Sequence, residues 1–235
     1  MSHPRYPSLY QINTRVWLTE LARSLGRPAT LDDIPDTELC IGTDTCLNTV
    51  IHLIDMIKAT AASHNRCFVI EVMGRNQGYL ALMSAIASGS QVAVIPEFRY
   101  DLEKIIDNLT RRRLRRHNNS VVVVAEGVCS GQDFLNRLLA AAGNRLEQEV
   151  RLTVLGHVQR GGSPTFADRY LASRMGEFAM LAMNQGEHGS MVGLTRNRMN
   201  LTDLQTLAGR RPPIPADAIR LARNLGMEIG IPSET

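Results

Sequence analysis

His157 and Arg160 lie within TVLGHVQRGGSP (Thr153 to Pro164), where an apolar run passes straight into a basic, glycine-rich turn. A guanidinium is a planar fork that grips a phosphate at two points. Gly161 and Gly162 let the backbone come close to a ligand. The chemistry open to these residue types at this spacing is the capture of a phosphorylated small molecule at the edge of a sheet. A surface βα turn carrying a solvated arginine is the alternative, and this segment alone does not separate the two.

Two further segments repeat the design. CFVIEVMGRNQG (Cys67 to Gly78) is a buried-type strand with Met73, Gly74 and Arg75 at its exit, and SVVVVAEGVCSG (Ser120 to Gly131) delivers Glu126 at the same kind of place. Three parallel-type strands therefore present Arg75, Glu126, His157 and Arg160 at their carboxyl ends, where ligands bind in open α/β sheets. Arginines suit a phosphate; Glu126 and His157 suit sugar hydroxyls.

The elements that must position these residues alternate along the chain. Thr43 to Ser63 is expected as a long helix, with Leu47, Val50, Ile51, Ile54 and Ile57 in one buried stripe. Then come a strand over 67–73, a helix from Gln77 to Ala87, a strand over 92–96 and a basic helix, DLEKIIDNLTRRRLRR. The strand 120–125 leads to a helix from Gln132 to Ala142, and the strand 151–156 to a helix from Ala167 to Asn184. Met191 to Met199 reads as a last strand, followed by a Pro-rich loop and one short helix. This pattern predicts an α/β fold, a parallel sheet with crossover helices.

Bulk properties exclude several classes. At 235 residues, 44% hydrophobic and 21% charged, the chain has the composition of a globular protein with a full core in one or two domains. It has no run of membrane-spanning length and no signal-peptide core, so a cytoplasmic protein without a membrane partner is expected. Cys40, Cys46, Cys67 and Cys129 form no CxxC pair and have no histidine at ligand spacing, which predicts reduced, buried thiols and no bound metal. RRRLRR (Arg111 to Arg116) ends a helix that starts acidic, as the macrodipole prefers, so a solvated helix end or an anionic effector site both suit it. Without interleaved aromatics it does not predict a nucleic-acid partner.

IGTDTCLNTV (Ile41 to Val50), SHNR (Ser63 to Arg66), EVMGR (Glu71 to Arg75), VVAEG (Val123 to Gly127) and VLGHVQRGGSP (Val154 to Pro164) follow one another in order. Their order and spacing resemble the C-terminal half of bacterial-type 6-phosphofructokinase, from Thr37 to Ile229. The resemblance implies a glycolytic kinase that transfers a phosphoryl group to fructose 6-phosphate, giving fructose 1,6-bisphosphate. Its donor would be ATP or pyrophosphate with Mg2+, and it would be an allosteric homo-oligomer, a tetramer in the family. Met73, Gly74, Arg75, Glu126, His157 and Arg160 would contact fructose 6-phosphate within one subunit. Arg75 would also offset charge on the phosphoryl group in flight. Arg66 and Arg151 match positions that reach a neighbour's sugar phosphate. Lys58, Arg115 and His117 fall at or near basic effector positions, although Gln91 stands where the family often has an acidic residue.

The resemblance breaks at the catalytic loop. The family segment reads GTIDND, and its first aspartate is the general base, whose register cannot drift. This chain has PATLDD (Pro28 to Asp33): aligned without a gap, Asp33 meets the second aspartate and Leu31 falls on the base, whereas one deletion puts Asp32 there. Upstream of Ala29 stand only 28 residues, none of them a phosphate-cradling glycine loop. Arg5 to Asp36 instead resembles the start of an α-amylase-type glycoside hydrolase, with LYQINTRVWL as the first strand of a (β/α)8 barrel. The resulting expectation is a chimera or truncated fusion, with a foreign segment over 1–36 and a sugar-phosphate-binding domain over 37–230. Its donor site would be lost, its catalysis impaired, and its orphaned apolar faces left exposed. A non-catalytic sugar-phosphate-binding remnant or regulatory fragment is the alternative, and a glycoside-hydrolase-related fragment a weaker one.

Overall fold

A computed structural model describes residues 40–61, 66–114, 120–195, 197–207 and 213–233. The chain divides into two units, Leu39–Glu177 with Pro213–Thr235, and Met1–Glu38 with Phe178–Pro212.

The first unit is built on four parallel strands in the order β2-β4-β1-β5: β1 (Arg66–Val72), β2 (Val92–Val94), β4 (Ser120–Ala125) and β5 (Glu149–Val154). A short antiparallel pair, β3 (Phe98–Arg99) with β8 (Ile231–Pro232), stands apart from this sheet. Alternate residues of each strand point to opposite faces, which gives the sheet two apolar surfaces to cover. On one, Ile70, Val72, Val121 and Val123 pack with Val50 and Ile54 of α1 (Thr43–Ala61) and Leu82 and Ala85 of α2 (Tyr79–Ala87), joined by Ala218 and Ala222 of α7 (Ala216–Asn224). On the other, Cys67, Val69, Val122 and Val124 meet Ile105, Ile106 and Leu109 of α3 (Leu102–Leu114), and Phe134 and Leu138 of α4 (Gly131–Ala142). The unit is thus a three-layer α/β/α sandwich, the α/β class that the alternating pattern predicts.

This layering fixes where a ligand can sit. The helix after β1 covers one face and the helix after β4 covers the other, although the two strands are neighbours. Connections that leave adjacent strands toward opposite faces open a crevice at the strands' carboxyl ends. That crevice lies at Met73–Arg75 and Glu126–Gly127.

Beyond β5 the chain forms a 3-10 turn, Gly156–Arg160, and then α5 (Phe166–Asn184). In the second unit the described residues form an antiparallel hairpin, β6 (Ser190–Thr195) with β7 (Arg198–Asp203), followed by a single helical turn, α6 (Leu204–Leu207).

Several expectations are corrected. The stretch Met191 to Met199 is not one strand but a hairpin, turned at Asn197, whose φ of 61° is one that asparagine tolerates. The third ligand-presenting strand runs over 149–154, so His157 and Arg160 stand on the 3-10 turn and not directly on the strand exit. Among the cysteines only Cys67 is buried; Cys40, Cys46 and Cys129 are half-buried. Among the described residues no helix is long and apolar enough to cross a membrane. Val154, Val158, Phe166, Tyr170, Met180, Leu181 and Met183 are exposed apolar side chains.

Candidate functional site

The crevice is assembled from three strand exits stitched to one another through β1. Gly127 N donates to Gly74 O at 3.1 Å, and Glu126 N to Val72 O at 2.9 Å, which joins the β4 exit to the β1 exit. Glu126 Oε1 accepts a longer bond, 3.4 Å, from Gly74 N. Backbone lies on backbone here: a Cβ on Gly127 would stand 1.9 Å from Arg75 O, and one on Gly74, whose φ is +144°, would stand 2.6 Å from Gln77 O. Both positions require glycine. The β5 exit is tied in by Gln159, whose Oε1 accepts from Met73 N at 3.0 Å.

Arg75, Glu126, His157 and Arg160 are exposed on this frame, while Met73 is half-buried and Gly74 buried. Arg75, His157 and Arg160 make no salt bridge among the described residues. Burial pushes the Cys46 thiol up while the charge of Arg160 pulls it down, which places Arg160 within electrostatic reach of α1. The N-terminus of α4, an alternative anion cradle, is already filled: Glu71 Oε2 accepts from Gly131 N at 2.5 Å and Ser130 Oγ from Asp133 N at 3.0 Å.

The glycine turn after Arg160 rests on the start of α1. Thr49 Oγ1 donates to Gly161 O at 3.2 Å, and Thr165 N donates to Thr45 Oγ1 at 3.2 Å. Asp168, buried in the first turn of α5, accepts from Gly42 N and Thr45 N, each at 2.8 Å, and from the Thr45 hydroxyl. Burial pushes its carboxyl up, but the bonds from Thr45, Gly42 and Thr165 outweigh this and hold it below the usual carboxylate value.

Arg66 and Arg151 are elsewhere, at the amino ends of β1 and β5. Arg66 Nε donates to Glu149 Oε2 at 2.7 Å, and Arg151 pairs with the same carboxylate. The bond from Arg66, with further help from Arg151, holds the Glu149 carboxyl low. The structure thus brings six of the eight proposed sugar-phosphate residues to one edge and sets the other two at the opposite edge.

The effector positions are partly committed to the fold. Lys58 Nζ donates to the carbonyl of Ser88 at the C-terminus of α2, and burial lowers its pKa against the charge of Asp55. Gln91 is buried, with Oε1 accepting from Val121 N at 2.5 Å and Nε2 donating to Gly89 O at 3.2 Å. Arg115 and His117 lie outside the described residues, as do the candidate bases Asp32 and Asp33. Among the described residues no three His, Cys, Asp or Glu side chains come together to hold a metal.

Sequence reasoning missed Gln159, Thr45, Thr49 and Asp168. Their partners lie 86 to 126 residues away, and a polar residue with no periodic pattern around it gives no local sign of such a bond.

Comparison with known proteins places this frame among relatives. The family model described as phosphofructokinase matches residues 13–183. The ATP-dependent 6-phosphofructokinase of Halalkalibacterium halodurans is 47% identical over 205 residues, 87% of this chain and 63% of that protein. The enzyme of the same name from Bacillus subtilis is 42% identical over 208 residues, 86% of this chain and again 63% of that protein. The chain therefore spans less than two thirds of the length of these relatives. Among solved structures, phosphofructokinase from Saccharomyces cerevisiae superposes with a TM-score of 0.69 at 28% identity, covering 83% of this chain and 29% of that one. The pyrophosphate-dependent phosphofructokinase of Marinobacter aquaeolei, 20% identical, shares the fold, with a TM-score of 0.65 over 94% of this chain and 66% of that one. With the family match covering most of the chain, EVMGR at the β1 exit and GHVQRGGSP on the 3-10 turn beyond β5, the chain belongs to the phosphofructokinase family.

Proposed function

We propose that this chain carries the sugar-phosphate half of a 6-phosphofructokinase and takes part in phosphoryl transfer to fructose 6-phosphate, giving fructose 1,6-bisphosphate. One observation supports this reading above the others: the segments that carry Arg75, Glu126, His157 and Arg160 are bonded to one another beyond the strands' carboxyl ends at a topological switch point, with all four side chains exposed and both arginines in no salt bridge among the described residues. Arg160 would grip the phosphate, Glu126 and His157 would bond sugar hydroxyls, and Arg75 would face the transferred group. Met73 and Gly74 would line the floor. Arg66 and Arg151 would serve a neighbouring copy in a homo-oligomer, and Lys58, Arg115 and His117 the rim of an effector cleft. Asp32 or Asp33 would act as base, with ATP or pyrophosphate and Mg2+ as the donor system.

The reading that residues 1–36 are foreign to a domain over 37–230 stands beside a family match that begins at residue 13. Deleting residues 1–36 separates the two: a foreign segment leaves fructose 6-phosphate affinity unchanged.

The experiment that tests the proposal is calorimetric titration with fructose 6-phosphate, paired with a coupled assay of fructose 1,6-bisphosphate formation using ATP and then pyrophosphate. Binding that Arg160→Ala weakens at least about tenfold, about 1.4 kcal/mol, supports the sugar-phosphate site. Turnover that Arg75→Ala abolishes supports the full kinase. Binding without turnover favours the second reading, a sugar-phosphate-binding remnant, and absence of both removes the proposal.

A further inference from the structure

We infer that Gln159 is the positioning residue that holds the two halves of the phosphate grip in register. This rests on the sugar-phosphate reading proposed above.

Gln159 is 1% exposed, although it lies between His157 and Arg160 on a turn that is otherwise exposed. Its amide is used at both ends. Oε1 accepts from Met73 N at 3.0 Å, and Nε2 donates to Gly156 O at 2.9 Å. The first bond fixes the backbone immediately before Gly74 and Arg75. The second closes the 3-10 turn on which His157 and Arg160 stand. One buried amide therefore spans the gap between the two segments that carry the candidate arginines.

No other bond does this on the described residues. The β1–β5 ladder ends with Leu155 N donating to Glu71 O at 3.1 Å, below both segments. The β4 exit is tied to Gly74 directly, but it carries only Glu126. Past Leu155 the turn is otherwise held from its far side, on α1, where Thr49 Oγ1 donates to Gly161 O and Thr165 N to Thr45 Oγ1. Losing the amide therefore leaves Met73 free to shift relative to the turn, and a phosphate grip tolerates displacements of only about 0.5 Å. A glutamine suits this task because it supplies an acceptor and a donor on one uncharged head, and a buried charge beside the crevice would perturb the grip itself.

The test compares Gln159→Met, which keeps the volume and removes both bonds, with Gln159→Glu, which keeps an acceptor for Met73 N. Three quantities are read on the full chain: amide exchange of Met73 by NMR, with Val69 and Val122 as internal controls; the affinity for fructose 6-phosphate; and the melting temperature. In Gln159→Met, Met73 exchange is expected to quicken by about tenfold or more with Val69 and Val122 unchanged, and the sugar-phosphate affinity to fall by about tenfold. Gln159→Glu should retain Met73 protection. A residue that merely stabilises the fold would lower the melting temperature and leave affinity, measured well below it, unchanged, and that result overturns the inference. Unaltered Met73 exchange in Gln159→Met overturns it as well. If the wild-type chain binds no fructose 6-phosphate, the functional reading falls first and takes the positioning role with it, whereas wild-type binding with an indifferent Gln159→Met sinks only the latter.

Discussion

Arg66 donates to Glu149 at 2.7 Å across the β1–β5 ladder, at the far end of the same strand that delivers Met73 to the crevice. β1 spans seven residues, so at about 3.3 Å per residue the two ends stand roughly 20 Å apart. A sugar phosphate on the strand exits cannot also touch Arg66 or Arg151 of its own chain. If both arginines serve the ligand, they serve it on another copy.

Mixed oligomers test this sharing. Chains carrying Arg160→Ala and chains carrying Arg151→Ala are each expected to bind fructose 6-phosphate at least about tenfold more weakly. Co-refolding the two should recover a fraction of tight sites, because a hybrid can pair an intact Arg160 on one chain with an intact Arg151 on the other. Titration of the mixture that shows no sites tighter than either parent would remove the shared-site reading.

Gly127 should be the least tolerant backbone position of the crevice. A methyl group there would sit 1.9 Å from Arg75 O, and the obstacle is backbone, not a flexible side chain. Gly127→Ala is therefore expected to push the β1 and β4 exits apart, costing about 1–3 kcal/mol of stability in denaturant melts. Its effect on fructose 6-phosphate affinity should exceed that of Gly176→Ala, where no atom lies within 4 Å of the added carbon and the backbone is helical. Equal effects of the two substitutions would show that the exits are not held by close packing.

Much of this arrangement is legible locally. SVVVVA is buried along its whole length and reads as a central strand without ambiguity. β5 is harder: Glu149 and Arg151 look like loop residues, yet on an edge strand paired only with β1 among the named strands their side chains can stay exposed. The hairpin beyond α5 was hidden because MVGLTRNRM alternates well enough for one strand, and only Asn197, in the left-handed region, betrays the turn. The arginines of the site announce themselves by type and neighbouring glycines. The residues that hold them do not, since Gln159 and Asp168 act through partners that folding alone brings near.

Cys67 and Cys129 should differ sharply in reactivity. Burial pushes the Cys67 thiol up to about 12, while Cys129 is half-buried and raised less decisively, with Arg137 pulling it down. The thiolate is the nucleophile. Native protein at pH 8 treated with iodoacetamide should therefore be alkylated at Cys129 well before Cys67, which reacts only on unfolding. Peptide mapping that finds both labelled at similar rates would mean that the sheet face around Val69 and Phe134 opens readily.

Asp168 supplies the pH dependence. Its folded pKa is held below the value near 3.9 expected of an unfolded aspartate, so its contribution is fully present above that value and is lost as pH falls through the folded one. The melting temperature should drop between about pH 5 and pH 3, as the acceptor for Gly42 N and Thr45 N becomes protonated. Asp168→Asn puts an NH2 group against one of these donors and should cost about 1–3 kcal/mol at neutral pH. The substituted chain should then lose less on acidification than the wild type, because the titrating group is gone. Since Asp168 clamps the start of α1 under the Gly161–Thr165 turn, the same substitution should also weaken fructose 6-phosphate binding more than an equally destabilising change in α3, such as Leu109→Val. Parallel acid melts of Asp168→Asn and wild type would instead show that this carboxylate titrates alike in the folded and the unfolded chain.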